Sequence, residues 1–263
     1  MTGRVTILGS GTSTGVPTLG CGCAVCASTD PRDQRLRPSL GLSWTEPGEG
    51  GGARQVVIDT TPDFRTQALR AGIRRLDAVL YTHSHADHIM GMDDVRPFNF
   101  GREEPLPAYG DAATLADLRR VFRYAFDGSA QLSAVPRVGL HELAGAFDLF
   151  GVRIEPLPVL HGTLPVLGYR FGDSAYVTDF SEIPAPTLER LRSLDLLILD
   201  ALRVRPHPTH SHLANSLRLV EELRPRRAYF THIAHDLAHA ATEAGLPAGT
   251  HLAYDGLTLE VVI

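Results

Sequence analysis

The chain contains no lysine: all 25 of its cationic side chains are arginine. That absence removes every chemistry that needs an ε-amino group, namely the phosphate lysine of a Walker loop, a Schiff base and a serine–lysine dyad. Cysteine is scarce too. Three in 263 residues is an odd number that cannot be fully paired within one chain, so no disulfide framework is expected. No apolar run approaches the ~20 residues that cross a bilayer, and the opening MTGRVTILGSG lacks the apolar core and cleavage site of a leader. A cytoplasmic protein without membrane contact is the expectation. Positive charge is not in excess either: a net charge of −5 does not supply the broad basic surface that drives nucleic-acid binding, which argues against a nucleic-acid partner. What is left, 43% hydrophobic and 21% charged residues, is an ordinary globular composition, and one domain over residues 1–263 is expected.

Short apolar runs recur at RVTILGS, LGLSWT, QVVIDT, DAVLYTH, VRIEPLPVL, SAYVTD, DLLILD, RAYFTH and LTLEVVI, and each reads as a strand. Helical periodicity lies between some of them, in Asp63 to Gly72, Ala112 to Phe126, APTLERLRSL and HLANSLRLVEEL. The mixture predicts an α/β protein. EPGEGGG, Glu46 to Gly52, separates two strand runs and reads as a hairpin loop rather than a linker. The glycines of GSGTSTGVPTLG follow a strand but miss the dinucleotide spacing.

The chemistry is concentrated in THSHADH, Thr82 to His88, directly after the strand run LDAVLY. His83, His85, Asp87 and His88 are four potential ligands within six residues. Side chains two apart on an extended segment point the same way, so His83 and His85 can share one metal, while a turn at Ala86 and Asp87 offers Asp87 and His88 to a second. Other strand runs end in the same kind of residue: LPVLHG in His161, AYVTDF in Asp179 and RAYFTH in His232. Their repetition implies that strands deliver them to one edge of a sheet.

H-x-H-x-D-H followed by a lone His, a lone Asp and a final His resembles the metallo-β-lactamase fold family of dinuclear hydrolases, with ordered motifs from Gly9 to His235. The resemblance implies a four-layered αββα sandwich with metals at one edge of the paired sheets. Carried over residue by residue, it gives one metal to His83, His85 and His161, the other to Asp87, His88 and His232, and makes Asp179 the bridge. Asp59, in VVIDTTPD, matches an aspartate that supports the histidine loop by hydrogen bonding.

All three cysteines lie in GCGCAVCAS, as Cys21, Cys23 and Cys26. His235 follows His232 by three residues, and a strand end turning into a helix sends the two side chains apart. Cys21, Cys23, Cys26 and His235 then make a Cys3His set suited to a closed, structural zinc. A redox pair at Cys23 and Cys26 is the rival, without a thioredoxin-like context around it.

This second set sharpens the resemblance to the branch containing the PhnP-like phosphoribosyl cyclic phosphate phosphodiesterases. In that branch a further histidine near the metals serves the leaving group. His210 in PHPTHSH is at the matching distance before His232, with His207 and His212 as close competitors. Asp87 and His210 are therefore the expected catalytic groups. The segment Gly91 to Phe100 departs from the phosphodiesterase pattern, and its Arg96 is a candidate phosphate contact.

The implied activity is hydrolysis of a small cyclic ribose phosphate by metal-held hydroxide attacking phosphorus, with two divalent ions, manganese or zinc, as cofactors. A transfer-RNA 3′-processing nuclease of the same fold is the first alternative, against which stand the net charge and the lack of a long basic arm. Hydrolysis of a carboxylic ester, thioester or lactone is another, since the same hydroxide attacks carbon. The expected partner is a small phosphate ester, and a homodimer is compatible with the fold. His141, His239 and His251 have no motif around them and read as structural or exposed.

Overall fold

Alternation along the strands sorts their side chains onto two faces, and the two faces feed different cores. In the segments at Thr2–Gly9 (β1) and Ser39–Thr45 (β2), Val5, Ile7, Leu40, Leu42 and Trp44 turn one way, while Leu8 turns the other. The structure, a computed structural model, describes residues 1–46, 48, 51–128 and 134–263.

The remaining strands are β3 (Ala53–Ile58), β4 (Ala78–Leu80), β5 (Leu106–Gly110), β6 (Val138–Glu142), β7 (Phe147–Leu149), β8 (Val152–His161), β9 (Leu164–Phe171), β10 (Ser174–Val177), β11 (Leu196–Asp200), β12 (Arg227–Thr231), β13 (Thr250–Leu252) and β14 (Thr258–Val262). They form two seven-stranded sheets, β14-β1-β2-β3-β4-β5-β6 and β13-β12-β11-β10-β9-β8-β7. Within the first sheet β3 through β6 run parallel, and within the second β10 through β13 do. The other neighbours are antiparallel.

The helices are α1 (Phe64–Arg70), α2 (Ala86–Ile89), α3 (Ala112–Val121), α4 (Arg123–Phe126), α5 (Ala185–Arg190), α6 (Leu213–Leu223) and α7 (His239–Glu243), with a 3₁₀ segment at Met92–Asn99. Inward residues of both sheets, including Ile58, Leu80, Ile154, Tyr169 and Ile198, make one core between the sheets. Outward Val57 and Val79 pack under α1, the 3₁₀ segment and α3, whereas Val177, Leu197 and Leu199 pack under α5 and α6. This is the αββα sandwich. Helix α6 buries Ser216, Leu219 and Leu223, one stripe of its surface.

The helical run Ala112 to Phe126 is divided at Phe122, whose backbone (φ −103, ψ 39) leaves the helical region while its ring is buried. The connection Glu46 to Gly52 joins the antiparallel neighbours β2 and β3, with Pro47, Glu49 and Gly50 lying outside the described residues. Among the described residues no helix is long and apolar enough to cross a membrane.

Candidate metal centre

Six functional residues lie at or just past the carboxyl ends of strands: Asp59 after β3, His83 after β4, His161 on β8, Asp179 after β10, Asp200 on β11 and His232 after β12. Carboxyl ends of parallel strands form the crevice where α/β sheets bind ligands. Three of the six, Asp59 (φ 64), Asp179 (φ 52) and His232 (φ 57), are non-glycine residues in the left-handed region. Such a conformation costs about 1–3 kcal/mol and persists only where the surroundings hold it. The holding contacts are present. Asp59, fully buried, accepts from Thr82 N (2.8 Å), Thr82 Oγ1 (2.7 Å) and His88 Nδ1 (2.7 Å), so it clamps both ends of the histidine loop. That loop is tied to the second sheet by Leu167 N donating to Thr82 O (3.0 Å) and Tyr169 OH donating to Tyr81 O (2.6 Å).

Two groups of donor atoms face each other at this edge. His83, His85 and His161 form one; Asp87, His88, Asp179 and His232 form the other, with the ligand atoms of each group within 4.8 Å of one another. In the second group His88 Nε2 is 3.3 Å from Asp87 and 3.4 Å from Asp179, and His232 Nε2 is 3.3 Å from Asp179 and 3.7 Å from Asp87. Bonds of ~2.0–2.2 Å to one shared ion produce separations of roughly 3.0–3.5 Å, so this spacing fits a metal. Asp179 also comes within 3.9 Å of His83 Nε2, between the groups.

At His88 and His161 the outward nitrogen is occupied, whereas at His232 both nitrogens lack a hydrogen-bond partner. His88 Nδ1 is taken by Asp59 and His161 Nδ1 donates to Thr209 O (2.6 Å), whereas His83 Nε2, His88 Nε2, His232 Nε2 and Asp87 Oδ2 are buried without a hydrogen-bond partner. Buried polar atoms are rarely left unpaired unless something else binds them, and occupation of the far nitrogen is how a histidine ligand is oriented. Charge points the same way. Asp59, Asp87, Asp179 and Asp200 are all buried, and their ionic partners among the described residues are histidines.

Burial pulls His83 well below the usual imidazole range and lowers His161 too, which favours the neutral, ligating form. Burial alone would lower His88 and His232, yet Asp179 with its fellow carboxylates overrides it, holding His88 well above the ordinary value and His232 at about 9. Burial raises Asp59 despite the opposing pull of His88. In Asp179 burial is outweighed by His232 and His88, which keep the carboxylate charged. A metal ion takes the place of the protons shared within such a set.

Of the three histidines in PHPTHSH, His210 is the one carried to the cluster. Its Nδ1 lies 2.9 Å from Asp200 Oδ2, and its ring stacks on His232 (4.7 Å, 18°) and abuts His161 (4.5 Å). His207 sits one ring further out, 5.1 Å from His210, and His212 occupies the N-cap of α6. Sequence reasoning missed Asp200, although it ends the apolar run DLLILD as Asp179 ends AYVTD. Asp200 Oδ1 is also 4.0 Å from His232 Nδ1, so one buried carboxylate faces both imidazoles. Arg96 is not brought to the cluster: its guanidinium pairs with Asp93 (2.7 Å) and donates to Ala134 O (3.2 Å). His141 stacks on Tyr109, His239 is buried beside Tyr254, and His251 bonds Glu243 (2.7 Å), each away from the donor groups.

The cysteines converge as a second assembly. Cys21, Cys26 and Cys23 Sγ lie 3.2, 3.3 and 3.6 Å from His235 Nδ1, a spacing that fits tetrahedral zinc. The Cys26 backbone N–H, donating to Cys23 Sγ, brings that thiol down to about 7. His232 and His235 share one short segment. It is clamped by Ile233 N to Ser10 O (2.9 Å), Ala234 N to Leu202 O (2.8 Å) and the buried Arg35 Nη1 to Ala234 O (2.9 Å).

Comparison with known proteins agrees with this architecture. The family model for the beta-lactamase superfamily domain matches residues 54–233. A solved structure described as a new diphosphatase from the PhnP family is 51% identical, with a TM-score of 0.90 over 99% of this chain and 98% of that one. Zinc-bound PqqB from Methylobacterium extorquens shares the fold at 21% identity and a TM-score of 0.73, covering 97% of this chain and 99% of that one. A Porphyromonas gingivalis protein named octanoyltransferase is 39% identical over 97% of this chain but only 51% of its own length. The chain thus spans about half the length of the curated relatives it matches. The chain belongs to the beta-lactamase superfamily, and within it to the PhnP-like proteins.

Proposed function

We propose that the protein hydrolyses a P–O bond of a small phosphate ester, a cyclic ribose phosphate being the first substrate to test. The observation that carries this reading is the pair of donor groups joined by Asp179, with His210 on Asp200 beside them. His83, His85 and His161 would hold one ion, and Asp87, His88, Asp179 and His232 the other. Two divalent ions there would supply a water acidic enough to attack at neutral pH and positive charge against the phosphoryl oxygens. Mixed imidazole and carboxylate ligands suit manganese or zinc, and the Cys3His set suits zinc.

The chain's own groups do the rest. Asp200 accepts the Nδ1–H of His210, and in the imidazolium form the second proton, on Nε2, would pass to the departing oxygen, leaving a neutral ring still bonded to Asp200. Asp59 fixes the ring of His88, and Thr209 O fixes that of His161. Asp87 orients within the second group. His85 is exposed while His83 and His161 are buried, so the site opens on the side of His85.

The 51% identical diphosphatase favours a second reading, cleavage of a phosphoanhydride. The attack is the same, but a phosphate leaving group needs less help from a proton donor than an alkoxide. The octanoyltransferase name adds no acyl-transfer reading, since this chain matches only 51% of the length of the protein that carries it.

The test is kcat/KM for phosphoribosyl 1,2-cyclic phosphate and for a nucleoside diphosphate, on manganese-loaded protein, with Asp179→Ala as the metal-dependent control. A value of about 10⁴ M⁻¹s⁻¹ or more on the cyclic ester, lost in the control, is the expected outcome. Turnover of the diphosphate alone would move the assignment to the anhydride, and turnover of neither would sink both readings.

A further inference from the structure

The geometry points to a second ligand site, for a nucleoside phosphate, at the end of the first sheet opposite the metals. A cavity of about 420 Å³ opens beside Leu76 and Asp77, at the amino end of β4. His83 lies six residues further along the chain from Asp77, roughly 20 Å of extended backbone. Four arginines, Arg54, Arg74, Arg75 and Arg102, line the cavity against one carboxylate, Asp77.

The four are not equivalent. Asp77 pairs with Arg75 (2.6 Å) and Arg54 (3.3 Å), and Glu46 also holds Arg54 (2.8 Å), so those two cations are partly neutralised and fixed in place. Among the described residues Arg102 gives one N–H to Leu76 O (2.8 Å) and has no carboxylate partner, and the exposed Arg74 has no partner. Two guanidiniums that no described carboxylate neutralises, on one small cavity, are the donor set for a phosphate, which they bind through paired, charge-assisted hydrogen bonds.

The walls are aromatic as well as cationic. Phe98, Phe100 and Phe150 line the same cavity, and Arg54 covers the Phe150 ring at 4.5 Å. Phe100 is 77% exposed among the described residues, unusual for a phenylalanine. A neighbouring groove of about 540 Å³ shares Arg74, Phe98 and Phe100; Phe64, Leu69 and Ile73 give it an apolar wall, and the charged Arg65, Asp93, Asp94 and Arg96 also line it. Phosphate for Arg74 and Arg102 next to a flat apolar group for Phe98 and Phe100 is the chemistry of a nucleoside phosphate, and a cavity of several hundred Å³ is the size of such a site.

The test is fluorescence anisotropy of ribose-labelled AMP on the metal-loaded protein; AMP offers the metal centre no diester or anhydride to cleave. Saturable micromolar binding is expected, weakened about tenfold or more in the double variant Arg74→Glu with Arg102→Glu. Phe100→Ala, at an exposed position, is expected to weaken it about fivefold or more through lost stacking. Binding is unchanged in Asp179→Ala, and the arginine variant keeps its turnover of bis(4-nitrophenyl) phosphate. Absence of saturable binding overturns the proposal. So does binding that is lost in Asp179→Ala and kept in the arginine variant, or competition by inorganic phosphate as effective as that by unlabelled AMP.

Discussion

His210 and Asp200 show how single residues divide the work at the proposed site. His210 makes no hydrogen bond to a proposed metal ligand: its Nδ1 is bonded to Asp200 and stands 4.0 Å from Asp179, and its ring packs on His161 and His232, so removing it should leave the ions in place. His210→Ala is expected to lower kcat on an alkyl or sugar ester by about 10²–10⁴ with unchanged metal content by plasma mass spectrometry. On an anhydride the loss should be smaller. Asp200→Asn acts through His210 and is expected to cost about 10–100-fold in kcat, with little further loss in a background that already carries His210→Ala. A loss of metal from Asp200→Asn would instead assign the carboxylate to His232, which it faces at 4.0 Å. Asp200 was hidden in the sequence because its partner is ten residues away in a loop. Arg96, on a 3₁₀ segment, pairs with its own neighbour Asp93, a contact that the expectation of a phosphate ligand did not include.

At the level of elements, the loop from Ser10 to Arg37 carries the cysteines and is fastened from both sides. One fastening is the Cys3His group itself. Cys26→Ser is expected to lose one equivalent of zinc and to lower Tm by at least about 5 °C, because binding energy at a structural zinc is folding energy. The other is Asp255, between β13 and β14, which accepts from Ser10 N and Oγ (2.9 Å each) and from Leu36 N (2.8 Å). Burial raises its carboxyl to about 6 against the donors that pull it down. The native state therefore keeps this proton between about pH 4 and 6 while the unfolded chain has released it, and this contribution to stability falls as the pH rises through that window. Asp255→Asn lacks the titration, so its Tm relative to the parent should climb from pH 4 to 6.5 in differential scanning fluorimetry. A flat difference would contradict the assignment. The strands β5, β6, β7, β9 and β13 escaped the sequence pattern because they are short or interrupted by proline and glycine, and neighbouring strands hold them by pairing.

For the molecule as a whole, two sheets share a dry core and support a charged edge. Ile198 is completely buried between the sheets, and Ile198→Ala should cost about 2–5 kcal/mol in denaturant unfolding. The edge behaves differently, since four buried carboxylates there need cations. Dialysis against a chelator is expected to lower Tm well below that of the loaded protein, and manganese or zinc should restore it. An ion present at a hundredfold excess over its dissociation constant contributes about 2.7 kcal/mol. Equal Tm values with and without chelator would argue that no ion occupies the edge.

Local chemistry was legible without coordinates: the ligand-rich motif after a strand, the recurrence of His or Asp at strand ends, and the cysteine cluster are properties of short segments. The α/β class followed from two periodicities that each need only a few residues to declare themselves. What the tertiary structure alone decided are relations between segments far apart in the chain. They include the packing of His210 against His161 and His232, the coupling of Asp200 to two imidazoles, the pairing of Arg96 with Asp93, and the meeting of Arg54, Arg74 and Arg102 on one cavity. The physical reason is common to all of them. A residue type and its spacing state what a side chain is able to bind, but which partner it reaches depends on how the two sheets stack and on which neighbour satisfies it first.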